Sequence, residues 1–503
     1  MVIGDLLAAT AAAHPGKDAV ICQDRRLSYS ALDAAANRFA HFALDRGLRQ
    51  GETLALMARN TVEHAIVYFG AARAGLVLAE LSTRLTRDEL RHALGSVRAR
   101  AIVLEQPYAE LLDARAAAGM HAIVFDPAGG TAGIEALIAG QSAEAPRLAL
   151  DPDSPYCVTF TGGTTGRSKG AAAIHRARIL SAGFAQRDFL LSARDILAVA
   201  SPLYHAAGLF IWFQPGVMVG ATSVLMPAWD PGRFIELVER HGITAAFFVP
   251  AQLAMLIDHP AFDARRLATL ERIVYGGSPA RPELIARAEA ALPDVAFIQN
   301  YGQTETGPLI SAQPQDRKIN PRAIGRPPAD IDIEIFKAPG EIAAGGEVGE
   351  LATRGAHVML GYVEAAEETA KFFKAGDAWG WTGDLAIRDE HGLIELVGRS
   401  KEIIISGGVN IYPAEIEETL YENPAVADCA AFGVHDEIWG ELPAAAVVLG
   451  ADTSATESDL LTFCAARIAR HKRPRAIFVV DSIPRTAAGK VQRSVLRERF
   501  AGT

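Results

Sequence analysis

A short strand-like run, Tyr156 to Phe160, opens directly into Thr161-Gly162-Gly163-Thr164-Thr165-Gly166-Arg167-Ser168-Lys169-Gly170. Glycines allow backbone N–H groups to turn together toward an anion, and the hydroxyls and one lysine add donors and charge. Strand, glycines, hydroxyls and lysine in that order predict a phosphate cradle in an α/β layer. An ordinary polar loop is the bland alternative. Lys169 follows Ser168 and precedes Gly170, so the loop is not a P-loop of the usual ATPase or kinase kind.

The surrounding chain carries the matching rhythm. Strands are predicted at Thr53 to Ala58, Ala101 to Leu104, Ile196 to Ala200, Ser223 to Met226, Ala245 to Val249, Ile273 to Tyr275 and Ala296 to Gln299. Helices fall between several of them, including Thr61 to Ala74 and one opened by the capping box Thr86-Arg87-Asp88-Glu89. This alternation predicts two related mixed or parallel sheets packed face to face, with a site between them. From Ile331 the texture shifts to short strands and turns, with a hairpin around Asp389-Glu390-His391-Gly392. Beyond Arg399 comes a smaller α+β pattern: a helix from Pro413, strands at Val426 to Phe432 and Ala444 to Val448, a helix over Ser458 to Arg470 and a strand at Ala476 to Val480. The expected fold class is α/β, with a large N-terminal domain (1–399) that includes a β-rich subdomain. A small mobile C-terminal domain (400–503) follows, joined at Ser400-Lys401.

Composition removes several classes of function. A net charge of −10 argues against nucleic-acid binding. Cys22, Cys157, Cys429 and Cys464 are too scattered for a disulfide framework or a zinc site, which predicts a reducing, cytoplasmic setting. The first residues lack a basic flank and carry Asp5, so they read as an amphipathic helix rather than a signal peptide. Ile196 to Trp229 contains no Asp, Glu, Lys or Arg, but Pro202, Pro215, Pro227 and three glycines interrupt it. Buried strands and a pocket-lining helix are expected there, with no membrane span.

Further signatures follow in a fixed order: Pro202-Leu203-Tyr204-His205, Tyr275-Gly276-Gly277-Ser278, Asn300-Tyr301-Gly302-Gln303-Thr304-Glu305, Trp381-Thr382-Gly383-Asp384, Gly398-Arg399-Ser400-Lys401-Glu402, Ser406-Gly407-Gly408-Val409-Asn410 and Pro484-Arg485-Thr486-Ala487-Ala488-Gly489-Lys490. Alone, each has a bland reading: a turn at Thr382-Gly383-Asp384, a core histidine at His205, a surface lysine at Lys490. Together with the glycine loop, the set resembles the adenylate-forming superfamily of acyl-CoA synthetases, peptide-synthetase adenylation domains and beetle luciferases.

The resemblance implies ATP, Mg²⁺ and coenzyme A as cofactors or co-substrates, with a small-molecule carboxylic acid as partner. Thr161, Gly162, Gly163, Thr164, Thr165, Gly166 and Lys169 would hold the β- and γ-phosphates. Thr304 would bind the α-phosphate and Glu305 the Mg²⁺. Gly276, Gly277, Asn300 and Tyr301 fall in the adenine site, and Asp384 with Arg399 on the ribose. Lys490 would neutralise the forming adenylate. A swing about Lys401 would then replace it with a Ser406-Gly407-Gly408 strand, past which a pantetheine arm reaches the acyl group, with His205 as a gate. Trp439 and Arg473, the latter within the basic run Arg470 to Arg475, would meet coenzyme A; a solvated basic face is the plainer reading of that run. Gly162 stands where the family pattern has serine, which predicts weaker pyrophosphate binding. A homodimer is carried as an expectation.

The acyl pocket is expected from Tyr204 to Trp212, Phe247 to Met255, Tyr275 to Ser278 and Tyr301 to Pro308. These windows and their neighbours contain Phe210, Trp212, Phe247, Phe248, Leu253, Met255 and Leu309, with no lysine or arginine. That predicts an apolar monocarboxylic acid, aromatic or of short to medium chain, with a lean to aromatic or arylpropenoic acids. An acid–CoA ligase is the leading reading. Loading of a carrier-protein thiol and a catalytically inactive acyl-adenylate binder are the alternatives.

Overall fold

The computed structural model describes residues 1–113, 119–126, 133–161, 168–374, 376, 378–450, 453–485 and 491–501. Within these, one compact unit holds 1–161, 168–332 and 353–380, and a second holds 333–352 and 381–501.

The first unit contains two sheets. The larger runs edge to edge through Gly307–Ala312, Ala296–Gln303, Arg272–Gly276, Ala245–Phe248, Ile196–Val199, Thr222–Leu225, Asp18–Cys22 and Arg25–Ser28. Its six inner strands pair in parallel and its two edge strands antiparallel. Inner strands such as Ala245–Phe248 are buried throughout, which is why they read as unbroken apolar runs. The other sheet runs through Gly361–Tyr362, Lys169–Ile174, Pro155–Thr161, Val77–Glu80, Thr53–Met57, Ala101–Glu105 and His121–Phe125.

The two sheets share one apolar core. It joins Val199, Phe247 and Val274 of the first sheet to Leu54, Leu78 and Val103 of the second. Phe39, Ile66 and Ala177, from the helices Tyr29–Asp45, Val62–Arg73 and His175–Asp188, belong to the same cluster. The expected face-to-face pairing of sheets is therefore made across a helical layer. Val62–Arg73 shows this most clearly, being buried at every position, as a helix with protein on all sides must be. Thr61 starts it by accepting the His64 N–H.

The apolar stretch folds into Ile196–Val199, a short helix Ala206–Gly208, a π-type turn Leu209–Phe213, the helix Gln214–Val219 and Thr222–Leu225. No helix among the described residues is long and apolar enough to cross a membrane.

In the second unit, Ile394–Arg399, Gly380–Arg388, Gly349–Arg354, Asp332–Ala338 and Glu341–Ile342 lie side by side in one sheet. Farther along, Val409–Ile411, Ile404–Ser406, Gly440–Leu449 and Val426–Asp436 form another, with Ala476–Val479 added in parallel to Gly440–Leu449. Pro413–Tyr421 and Glu457–Ala465 cover one face through Ile416, Leu420 and Leu460, and Arg493–Arg499 covers the other through Leu496.

Two local expectations are corrected here. Ser406-Gly407-Gly408 is not a strand but the end of one and the turn that follows. Gly407 and Gly408 take φ of +58° and +80°, as a two-residue hairpin turn of primed type demands. The helix expected to reach Arg470 stops at Ala465, because the N–H groups of Arg467 and Ile468 both close on the Cys464 carbonyl and tighten the chain into a turn.

Candidate active site

In the first unit, Arg272–Gly276 and Ala296–Gln303 run in parallel with Gly276 opposite Asn300. A Cβ at Gly276 would lie 2.3 Å from the Asn300 carbonyl oxygen, so only glycine permits this approach. Gly277 follows with φ +80°. Asn300 and Tyr301 are buried, and the Asn300 amide reaches the Ser311 hydroxyl at 3.4 Å. The four residues expected at the adenine site are thus neighbours at the ends of two adjacent strands.

The strand then enters a turn at Thr304-Glu305-Thr306 before returning as Gly307–Ala312. The Thr306 hydroxyl accepts the Gln303 N–H at 3.2 Å and pins the turn. Arg178 Nη2 donates to the Thr304 carbonyl at 3.1 Å. The Tyr362 hydroxyl donates to Glu305 Oε1 at 2.6 Å, and Met359 N–H to the Glu305 carbonyl at 2.7 Å. Glu305 Oε2 makes no hydrogen bond among the described residues.

Thr161 and Lys169, which flank the glycine loop, face each other across the antiparallel pair Pro155–Thr161 and Lys169–Ile174. The Lys169 ammonium forms an ion pair with Glu368 and lies 5.8 Å from the centre of the Tyr362 ring. Glu368 also meets Lys371 at 2.6 Å, and hydrogen bonds from Lys169 and Lys371 hold its carboxyl down to about 2. Gly162, Gly163, Thr164, Thr165 and Gly166 lie outside the described residues. The geometry therefore joins Lys169 to Glu305 through one tyrosine.

His205 caps the helix Ala206–Gly208 and packs edge-on against Tyr204, with ring centres 4.7 Å apart. The expected acyl pocket needs correction. Phe210, Trp212 and Phe247 belong to the shared core, and the Trp212 indole N–H is taken by the Ala198 carbonyl at 2.8 Å. Phe248 and Leu253 sit in a second core beneath Pro231–His241, while Met255 is 50% exposed. A cation borders that core: the Arg178 guanidinium lies 4.3 Å from the centre of the Phe210 ring. It comes from His175–Asp188, outside every window considered from sequence.

In the second unit, Asp384 and Arg399 are register partners on antiparallel strands, with Arg399 Nε 2.8 Å from Asp384 Oδ1. Asp384 is buried, its N–H donating to the Thr382 hydroxyl, which donates in turn to the Leu351 carbonyl. Gly383, at φ +74°, gives its N–H to Glu350. Lys401 is exposed. Gly407 donates to the Trp439 carbonyl at 2.8 Å, and a Cβ on it would lie 2.5 Å from the indole, so Trp439 rests on the hairpin turn. Arg473 Nε donates to the Ile468 carbonyl, and Lys472 pairs with Glu415. Lys490 lies outside the described residues.

The family model for the AMP-binding enzyme matches residues 7–363, and that for the AMP-binding enzyme C-terminal domain matches 415–490. This chain is an AMP-binding enzyme. It is 34% identical to an indoleacetate–CoA ligase of Aromatoleum aromaticum, over 97% of this chain and 96% of the relative. It is 33% identical to a feruloyl-CoA synthase of an Amycolatopsis species, over 94% of each. ATP-bound MatB from Rhodopseudomonas palustris superposes with a TM-score of 0.93 at 27% identity, covering 100% of this chain and 99% of that one.

The described residues thus supply a cation beside the glycine loop and a carboxylate oriented by a phenol in the first unit, and in the second a buried Asp384 paired with a part-exposed Arg399. Three residues of the site were not found from sequence: Tyr362, Glu368 and Arg178. Tyr362 had a local signal in Gly361-Tyr362, since Gly361 takes φ +147° where a Cβ would strike Thr369. Glu368 and Arg178 had none, being charged residues in ordinary helices.

Proposed function

We propose that this AMP-binding enzyme is an AMP-forming acid–CoA ligase acting on a carboxylic acid with an apolar, preferably aromatic, body. The frame running from Lys169 through Tyr362 to Glu305 carries the reading. Tyr362 borders both the cation read here as the phosphate ligand and the carboxylate read here as the metal ligand, which supports one triphosphate–metal site. The named activities of the aromatic-acid ligases above support the aromatic preference.

In the first half-reaction a carboxylate oxygen of the acid attacks the α-phosphorus of ATP. The bond to the β-phosphate breaks and pyrophosphate leaves with the electron pair. Lys169 and the Thr161–Lys169 loop receive the β- and γ-phosphates, and Thr304 donates to the α-phosphate. Asp384 accepts from the ribose hydroxyls while Arg399 holds its orientation, and Gly276, Gly277, Asn300 and Tyr301 border the base. Lys490 offsets charge where it builds up in the transition state.

Glu305 fits Mg²⁺. Its carboxylate has one oxygen oriented by Tyr362, and the described residues hold no cluster of three ligating side chains. That suits an ion bound chiefly through phosphate oxygens and water. When present, Mg²⁺ would neutralise phosphate charge.

In the second half-reaction the thiol sulfur of coenzyme A attacks the acyl carbonyl carbon. The bond to the AMP oxygen breaks, the thiol proton passes to solvent, and thioester and AMP leave. The residues from 400 onward turn about Lys401 between the two steps, with His205 as the gate. Gly407, Gly408, Trp439 and Arg473 line the coenzyme A path. The setting is the cytoplasm, where the four buried free cysteines stay reduced.

The test is AMP release from ATP with a panel of carboxylic acids, with and without coenzyme A. CoA-dependent release with at least one acid is expected. Release that needs a carrier-protein thiol instead would favour the loading enzyme, and no pyrophosphate exchange with any acid would remove the proposal. Lys490→Ala should slow adenylation by roughly 100-fold while sparing thioester formation from supplied acyl-AMP.

A further inference from the structure

Arg178 is fully buried on the helix His175–Asp188, and no carboxylate lies within 4 Å of it among the described residues. A buried cation without an ionic partner is costly, and proteins seldom keep one unless something needs it. Its surroundings are polar but do not satisfy it. Nη2 donates to the Thr304 carbonyl and the Phe210 ring faces the guanidinium, yet Nε and Nη1 have no hydrogen-bond partner. The Cys157 thiol beside the same group offers it only a weak sulfur acceptor.

The position is as informative as the missing partners. Phe210 comes from the apolar stretch and Thr304 from the turn after Ala296–Gln303, two of the four segments expected from sequence around the acyl pocket. Arg178 touches both. Gly307 closes the same turn with φ +71°, and a Cβ there would lie 2.5 Å from the Ser181 hydroxyl and 3.9 Å from Arg178 Nη1. Glycine at 307 thus keeps side-chain atoms off that edge of the guanidinium.

We propose that Arg178 is a specificity-determining residue that receives an oxygen acceptor carried by the acid at the end remote from its reacting carboxyl. This rests on the acid–CoA ligase reading and narrows its substrate class. The acid has an apolar body and ends in a carbonyl, phenolic or carboxylate oxygen. A methyl-ended acid of the same length leaves two buried N–H groups without a partner, and sites built to hydrogen-bond a substrate reject such analogues strongly.

The experiment compares acids of matched length ending in methyl, in a ketone or phenol, and in carboxylate. It reads kcat/KM with coenzyme A in wild type, Arg178→Met and Arg178→Lys. Wild type should favour an oxygen-ended acid over the methyl-ended one by at least about 10-fold. Arg178→Met should bring that ratio to near 1 or below, and Arg178→Lys should restore part of it.

The two oxygen-ended arms separate charge pairing from neutral hydrogen bonding. A wild-type preference for the methyl-ended acid overturns the inference without any variant, which covers the case of Arg178→Met failing to fold. An unchanged ratio in a folded Arg178→Met overturns it too, leaving the ligase reading intact. Absence of turnover with every acid removes both.

Discussion

The Tyr362 hydroxyl donates to Glu305 Oε1 at 2.6 Å while the ring of the same tyrosine lies 5.8 Å from the Lys169 ammonium. One side chain therefore orients the carboxylate expected to hold the metal and borders the cation expected to hold phosphate. Tyr362→Phe keeps the ring and removes the hydrogen bond. Outer partners of metal ligands typically contribute 10- to 100-fold in metal affinity. Half-maximal Mg²⁺ for pyrophosphate exchange should rise by about 10-fold, with KM for the acid little changed. An unaltered Mg²⁺ titration would show that the phenol does not act on Glu305.

Glu368 pairs with the Lys169 ammonium. Glu368→Gln removes that hold, and a partly buried pair near the surface contributes about 1 kcal/mol. KM for ATP should fall by roughly 3- to 5-fold in steady-state adenylation assays. A rise would mean that Glu368 supports the nucleotide instead.

Asp384→Asn should raise KM for ATP by about 10-fold or more, since a charge-assisted hydrogen bond contributes about 1.5–3 kcal/mol. It also leaves Arg399 without its carboxylate. Calorimetric titration with AMP separates the two effects, because weakened binding should persist in a variant that melts like wild type.

Gly407→Ala should slow the thioester step and leave pyrophosphate exchange nearly intact. The left-handed backbone there costs an ordinary residue about 1–2 kcal/mol, and the added methyl would strike Trp439. Rapid-quench measurement of acyl-CoA formation from preformed adenylate checks this. Equal loss in both half-reactions would count against a role confined to coenzyme A.

Stability should fall on mild acidification. Burial holds His175 and His357 down to about 4, against an ordinary 6.5. Both are neutral in the fold at pH 7, and His175 Nδ1 accepts the Ile3 N–H. Between pH 6.5 and 4 the unfolded chain binds protons that the folded chain does not. Stability is therefore complete above 6.5 and is lost as pH drops toward 4, by on the order of 1–2 kcal/mol per histidine between pH 7 and 5. Urea midpoints at the two pH values measure it, and His175→Gln should flatten the difference.

Local chemistry was legible in the sequence and long-range encounters were not. Thr86 and Glu89 form the capping box that their spacing announced, and the Asp389 to Gly392 turn joins two strands as expected. Asp384 and Arg399, assigned to the ribose by resemblance, prove to be register partners. The helix expected through Arg470 failed because nothing in its composition marks the turn that closes on Cys464. Windows beside the motifs marked Phe210, Trp212 and Phe247 as pocket residues, although an aromatic run fills a core just as well. Arg178 and Glu368 escaped notice because each meets its target only after helices and strands far apart in the chain have packed.

The ion pair between Lys169 and Glu368 bears on which anions the enzyme will accept. On the phosphate role proposed for Lys169, a ligand offering a single weak phosphate must win the ammonium from a carboxylate rather than from water, whereas a triphosphate would bring more contacts with which to displace it. Free inorganic phosphate should thus be a poor inhibitor, and the selectivity for long polyphosphates would come from an acidic rival built into the protein.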